Sequence, residues 1–191
     1  MTVDRVLALD GGAPVRATFL PFHQPTIEAD DEQGVLEVLR SGWITTGPRT
    51  KRFEQELASY TGATHCVAVN SCTAALYLAL EAAGVGPGDE VITSPITFAS
   101  TANVIVHRGA RPVFVDVEPD TLNIDPDRIE AAITPRTKAI IPVDFAGQPC
   151  ELDRIADIAR QHGLVVIEDE AHSIGAEFKG RRVGGIADMT A

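Results

Sequence analysis

From residue 65 onward, short runs of apolar, largely β-branched residues alternate with helical stretches, and this alternation constrains the fold more than any other feature. The strand candidates are residues 65–70 (HCVAVN), 90–94 (EVITS), 112–117 (PVFVDV), 138–143 (KAIIPV) and 164–169 (LVVIED). Helix candidates at 72–83, 99–107, 126–132 and 151–162 separate them. The strand runs are nearly continuous in Val and Ile, as strands covered on both faces require. Strand–helix–strand repetition predicts parallel strands with right-handed crossovers, hence a three-layer α/β/α fold around a mostly parallel sheet. Asp125 followed by Pro126 reads as a helix N-cap with a first-turn proline. The stretch 72–83 is apolar almost all round, which predicts a buried helix.

The first sixty residues do not share this rhythm. Residues 27–40 place Val35, Leu36, Val38 and Leu39 near one helical face and stop at Ser41-Gly42. The turn-rich loop WITTGPRT follows, then a second amphipathic helix over 50–60 with Phe53, Leu57 and Tyr60 at helical spacing. The expected organisation is a leader with helices over 1–60 and an α/β region over 61–191. After residue 170 the chain turns glycine-rich and hairpin-like, SIGAEFKGRRVGG.

A length of 191 residues suits one domain, or one and a remnant, enough for a real core. With 45% hydrophobic and 23% charged residues, disorder and fibrous folds are excluded. The net charge of −11 argues against nucleic acid as a partner, because phosphate binding needs clustered Lys and Arg. Cys66, Cys72 and Cys150 form no CxxC pair, and the five histidines show no metal-ligand spacing, so no metal is expected. The N-terminus lacks a long apolar segment, and the stretch 72–83 is too short to cross a bilayer. These features lead to an expectation of a cytoplasmic protein with no membrane partner.

In open α/β sheets ligands bind beyond the carboxyl ends of the strands. After the first strand candidate comes Asn70-Ser71-Cys72-Thr73-Ala74, opening a helix. Its free N–H groups, with hydroxyls from Ser71 and Thr73, would suit a phosphate; ordinary capping by Ser71 explains the same residues. After the second comes Phe98, either a cover for a flat ligand or a core residue. After the fifth comes Glu168-Asp169-Glu170-Ala171-His172. Strand alternation puts Glu168 and Glu170 on one face and Asp169 on the other. A buried carboxylate there needs a cationic or hydrogen-bonding partner, which a protonated ring nitrogen or a nearby Arg or cap would supply. His172 is either a ligand contact or a satisfied core histidine. The string GVGPG lies between a helix and a strand, the wrong context for a dinucleotide fingerprint, and no Walker A, HExxH or GxSxG motif occurs. A Rossmann-like nucleotide binder is therefore disfavoured.

Three strings occur in order: NSCTAALYLALEAAGVGPGDEVITSPITFASTAN, GARPVFVDVEPDTLNIDPDRIEAAITPRTKAIIPVDFAGQPC and VIEDEAHSIGAEFKGRRVGG. Together with SGWITTGPRTKRFEQELASYTG, they closely resemble the DegT/DnrJ/EryC1/StrS aminotransferases over nearly the whole chain. The resemblance implies the large domain of the aspartate-aminotransferase-like fold (fold type I), in truncated form, and pyridoxal 5'-phosphate as cofactor. It implies that Ser71, Cys72, Thr73 and Ala74 hold the cofactor phosphate, Phe98 stacks on the ring, Asp169 pairs with the protonated ring nitrogen, and His172 lies near the ring hydroxyl. Trp43, Thr45 and Thr46 resemble a substrate-side loop.

The activity so implied is amino transfer from L-glutamate to a nucleotide-linked keto-deoxy sugar for surface polysaccharides, by a homodimer. The family's imine-forming lysine follows the last string, and Lys51, Lys138 and Lys179 match no such position. The chain is thus expected to be the N-terminal portion of a larger enzyme and to be inactive alone. Two variants stay open: a non-catalytic cofactor-binding or regulatory relative, and a dehydratase of the same family with histidine replacing the lysine.

Overall fold

The computed structural model describes residues 6–21 and 23–191. The chain divides into two units, Met1–Thr45 and Thr46–Ala191. In the first, a short 3-10 turn (Ala8–Asp10) precedes helix α1 (Ala29–Ser41). A reciprocal capping box starts α1: the Glu28 N–H donates to Asp31 Oδ2 at 2.9 Å, and the Glu28 side chain accepts from the Asp31 N–H. Gly42, at φ +72°, ends it in the left-handed conformation that a side chain would disfavour.

The second unit carries the α/β pattern. Its elements are α2 (Pro48–Thr61), α3 (Cys72–Ala82), β1 (Glu90–Thr93), α4 (Ala99–His107), β2 (Arg111–Phe114), α5 (Pro126–Ala132), β3 (Thr137–Ile141), α6 (Leu152–His162), β4 (Val165–Glu168), the strands β5 (Glu177–Phe178) and β6 (Arg181–Arg182), and β7 (Met189–Thr190). The main sheet runs β2-β1-β3-β4-β7 with every pairing parallel, and β5 and β6 form a separate antiparallel hairpin. Pro112 is tolerated in β2 because that strand lies at the sheet edge.

Alternation along the strands builds the layers. Val91, Ala139, Ile141 and Ile167 pack with Leu76 and Leu80 of α3 and Val104 and Ile105 of α4. Their neighbours Ile92, Ile140 and Val166 pack on the other face with Ile129 of α5 and Leu152 and Ile155 of α6. The sheet is therefore sandwiched between α3/α4 and α5/α6, the expected three-layer fold. Helix α6 shows why its sequence suits this place: buried Leu152, Ile155 and Ala159 recur at helical spacing beneath a charged outer face. Asp125 caps α5 as expected, accepting from the Asp127 N–H at 3.0 Å.

Several expectations are corrected. Residues 65–70 are not a strand. The Ala68 N–H donates to the Glu54 carboxylate at 2.9 Å instead of to a ladder, and Val67 is exposed. Helix α3 is not buried all round. Leu76, Ala79 and Leu80 face the core, while Leu78 is half-exposed and Thr73 is exposed. The run 112–117 stops pairing as β2 at Phe114, because Val117 bridges Ile124 in the opposite direction. Strand β7 carried no signal in the sequence reading.

Candidate functional site

The carboxyl ends of β3 and β4 are level. The Asp169 N–H donates to Pro142 O at 2.9 Å, and the Asp144 N–H donates to Asp169 O at 3.1 Å. Alternation then assigns the side chains. Asp169 follows Ile167 toward the α3/α4 face, and Glu168 follows Val166 toward the α5/α6 face.

Asp169 is 4% exposed. Thr101 Oγ1 of α4 donates to its Oδ2 at 2.8 Å, while Cys72 Sγ at 3.8 Å and the Ala171 N–H at 3.3 Å donate to Oδ1. None of these three donors is a cation, so the buried carboxylate has hydrogen bonds but no counter-charge among them. Cys72 is the first residue of α3, where a helix N-terminus would favour a thiolate. Burial and the Asp169 charge win, and push the thiol up to about 11. It is a neutral donor to Asp169, not a nucleophile.

The first turn of α3 is thereby held beside Asp169. Ser71 Oγ accepts from the Ala74 N–H at 3.1 Å, so the capping reading holds, and the Thr73 hydroxyl at the same turn is exposed. Helix α3 has eleven residues, long enough for a substantial positive end. Phe98 stands at the N-cap of α4, three residues from Thr101, and is 73% exposed. That excludes its reading as a core residue. His172 is likewise exposed, its ring edge-on to Phe145 with centroids 6.3 Å apart, and is not a core histidine.

Behind Asp169 lies a second acidic group. Glu168 and Asp144 are fully buried, and Glu170 lies alongside. Asp144 accepts from the Cys150 N–H at 2.9 Å and from Ser173 Oγ at 2.8 Å. Glu168 accepts a long 3.4 Å contact from Thr190 and the Gly184 N–H and, when protonated, bonds the Asp144 carboxylate, while Oε1 of both Glu168 and Glu170 has no hydrogen-bond partner at normal distance among the described residues. Burial first, and the neighbouring Asp144 charge second, push Glu168 up to about 8 and Glu170 up to about 7. Asp144 is raised by the same burial. Gly184 is required here: at φ +89°, a Cβ would lie 2.8 Å from the Glu170 carboxylate. Cys150 is buried nearby, its thiol donating to Val143 O, and burial keeps it protonated.

The second unit thus gathers Ser71, Cys72, Thr73 and Ala74 at one helix end with Asp169 and, through Thr101, the turn bearing Phe98. His172 follows in the turn after Asp169. Trp43 and Thr45 belong to the first unit and Thr46 to the second; all three are exposed. Lys138 lies five residues before Val143, which is level with Asp169, so it sits about 16 Å toward the opposite end of the sheet. Lys179 pairs with Asp153 of α6 and lies over the Phe178 ring. Thr101 and Asp144 were not singled out from the sequence. Thr101 did leave a signal, since it shares the buried spacing of Val104 and Ile105.

Comparison with known proteins gives three concordant results. The sequence model of the DegT/DnrJ/EryC1/StrS aminotransferase family matches residues 25–191. The spore coat polysaccharide biosynthesis protein SpsC of Bacillus subtilis (strain 168) is 57% identical over 176 residues, 92% of this chain and 45% of that protein. Among solved structures, Spr1654 of Streptococcus pneumoniae, a candidate sugar aminotransferase in its PLP form, superposes with a TM-score of 0.86 at 42% identity, over 90% of this chain and 47% of that one. A 3-amino-5-hydroxybenzoic acid synthase superposes with a TM-score of 0.82 at 41% identity, over 85% and 43%. The chain spans about half the length of the relatives it matches.

Proposed function

This chain belongs to the DegT/DnrJ/EryC1/StrS aminotransferase family, and from that premise we propose that it supplies the cofactor-holding half of an enzyme that aminates a sugar using pyridoxal 5'-phosphate. The observation that carries this reading is Asp169: a buried carboxylate whose donors are all uncharged, set beside the first turn of α3. That donor set fits a small molecule with a cationic ring N–H at one end and a phosphate at the other. When bound, the cofactor supplies an electron-withdrawing ring through which an amino group is exchanged.

Each residue has a definite task in this arrangement. Asp169 accepts the ring N–H and keeps that proton in place, because an ionised carboxylate in a dry site stabilises a positive partner strongly. The first turn of α3 would hold the phosphate through the Cys72 N–H, the hydroxyls of Ser71 and Thr73, and the Ala74 N–H once it turns from the Ser71 cap to the ligand. Phe98 covers one face of the ring and keeps water from it, and its exposure leaves it free to do so. His172 orients the ring hydroxyl. Trp43, Thr45 and Thr46 are proposed as substrate-side residues on the family resemblance alone. Lys138 and Lys179 are not placed to be the covalent lysine, since Lys138 lies toward the wrong end of the sheet and Lys179 is engaged with Asp153, and Lys51 is set aside on the family resemblance alone.

For the whole protein we propose a nucleotide-linked keto-deoxy sugar as acceptor, L-glutamate as donor, a homodimeric assembly and a cytoplasmic location. The name of SpsC, a polysaccharide biosynthesis protein, supports the sugar class. The test is to titrate pyridoxal 5'-phosphate into the protein and its Asp169→Asn variant by equilibrium dialysis, then, in the full-length enzyme of which this chain is the cofactor-holding half, to assay 2-oxoglutarate release from glutamate with UDP-linked 4-keto sugars. Asp169→Asn is expected to weaken cofactor binding at least tenfold without unfolding the protein. Unchanged affinity in that variant would overturn the site assignment. Saturated cofactor with no glutamate-dependent turnover on any keto sugar would overturn the reaction.

A further inference from the structure

We propose that Thr101 and Thr97 form a hydroxyl relay that fixes the orientation of the Asp169 carboxylate, making Thr101 a positioning residue for the ring-nitrogen contact; this rests on the cofactor reading above. Thr101 is fully buried, yet it is a polar side chain on the apolar face of α4. Its Oγ1 lies 2.8 Å from Asp169 Oδ2, 3.1 Å from Phe98 O and 2.7 Å from Thr97 Oγ1.

A hydroxyl has one proton, so the direction of these contacts can be worked out. The ionised carboxylate is the stronger acceptor, so the Thr101 proton goes to Asp169 rather than to the Phe98 carbonyl. Thr101 then has only lone pairs to offer Thr97, and Thr97 donates to it at 2.7 Å in preference to the Phe98 carbonyl at 3.4 Å. The result is a directed chain, Thr97 to Thr101 to Asp169, in which each bond polarises the next. Oδ2 receives the short bond, while Oδ1 has, among the described residues, only the long contacts from Cys72 and Ala171. Oδ1 therefore retains the acceptor capacity for a ligand N–H. The relay also joins the turn bearing Phe98 to the carboxylate, so ring cover and ring-nitrogen contact are set by one small network.

The consequence concerns where a proton sits. A donor to the carboxylate stabilises the charge-separated pair, a cationic ring N–H facing an ionised Asp169, over the neutral pair in which the proton has moved to Asp169. Removing the Thr101 hydroxyl must shift that proton toward the carboxylate.

The experiment uses pyridoxal 5'-phosphate labelled with 15N in the ring, bound to the protein and to Thr101→Val, Thr101→Ser, Thr97→Val and Asp169→Asn variants. The readouts are the ring 15N chemical shift from pH 6 to 9, cofactor affinity, and a thermal melt of the cofactor-free protein. Thr101→Val is expected to move the shift toward the neutral-ring value and to weaken binding about tenfold, as loss of a bond to a charged group implies. Thr101→Ser is expected to restore both. Thr97→Val, which leaves every hydrogen bond made directly to Asp169 in place, is expected to move the shift in the same direction by less, and it decides the matter if Thr101→Val fails to fold. A wild-type shift in folded Thr101→Val, or in Thr97→Val if the former does not fold, overturns the relay. If Asp169→Asn also keeps the wild-type shift, the cofactor reading itself has failed. If only Asp169→Asn moves it, the relay alone has failed.

Discussion

Replacing Glu168 with Gln should make the protein more stable at mildly alkaline pH, and the reason can be worked from its surroundings. Glu168 is fully buried, faces Asp144 and Glu170, and has one carboxylate oxygen without a donor among the described residues. Its pKa rises from an ordinary 4.5 to about 8. The folded protein therefore keeps a proton that the unfolded chain has already released. Stability from this group is full below pH 4.5 and falls by about tenfold in the folding constant per pH unit as pH rises, levelling near pH 8. Over about 3.5 pH units the loss is on the order of 5 kcal/mol, a large part of a typical domain's stability. Gln keeps the shape, cannot ionise and offers an N–H to Asp144. Urea unfolding followed by circular dichroism at half-unit steps from pH 5 to 8.5 measures the effect. The wild type should weaken steadily across this range, with Glu170 adding a smaller decline in the same direction below pH 7. Glu168→Gln should be distinctly flatter and more stable at pH 8. A wild-type midpoint independent of pH, or parallel slopes in the two proteins, would refute the reasoning.

Two further outcomes are expected. At the opposite end of the sheet, Arg111, Arg136 and Thr134 bond the Glu90 carboxylate and hold it down at about 2. Its stabilisation is present above pH 4.5 and lost as pH falls toward 2, so an acid titration of Glu90→Gln should lack part of the wild-type acid transition. Ile140, fully buried between β1 and β4, should cost about 2–5 kcal/mol when replaced by Ala, read as a lowered urea midpoint with unchanged slope.

The helices were legible because their signals are local. Period, caps and stop residues for α1 to α6 lie within each segment, and the structure places their ends within about two residues of the expected ones. The face assignment of Glu168, Asp169 and Glu170 was legible for the same reason, since it needs only the period of a strand. Residues 65–70 carry the composition of a strand, but a strand exists only with a partner, and the partner of Ala68 proved to be a side chain. Asp144 escaped notice because it meets Glu168 only through the register of β3 against β4. Thr101 and Asp169 are 68 positions apart, and no pattern within one helix shows which carboxylate a buried hydroxyl will find.

The pleat at the end of β4 also works as an insulator. Adjacent residues, 168 and 169, send their acids to opposite sides of the sheet, one into a compartment that retains a proton and the other into one that we propose receives a positive guest. A frame slip of a single residue in this strand would exchange the two, handing the guest a neutral acid and burying the anion where nothing balances it. Insertions or deletions between residues 165 and 169 should therefore be far less tolerable to this protein than substitutions at the same positions.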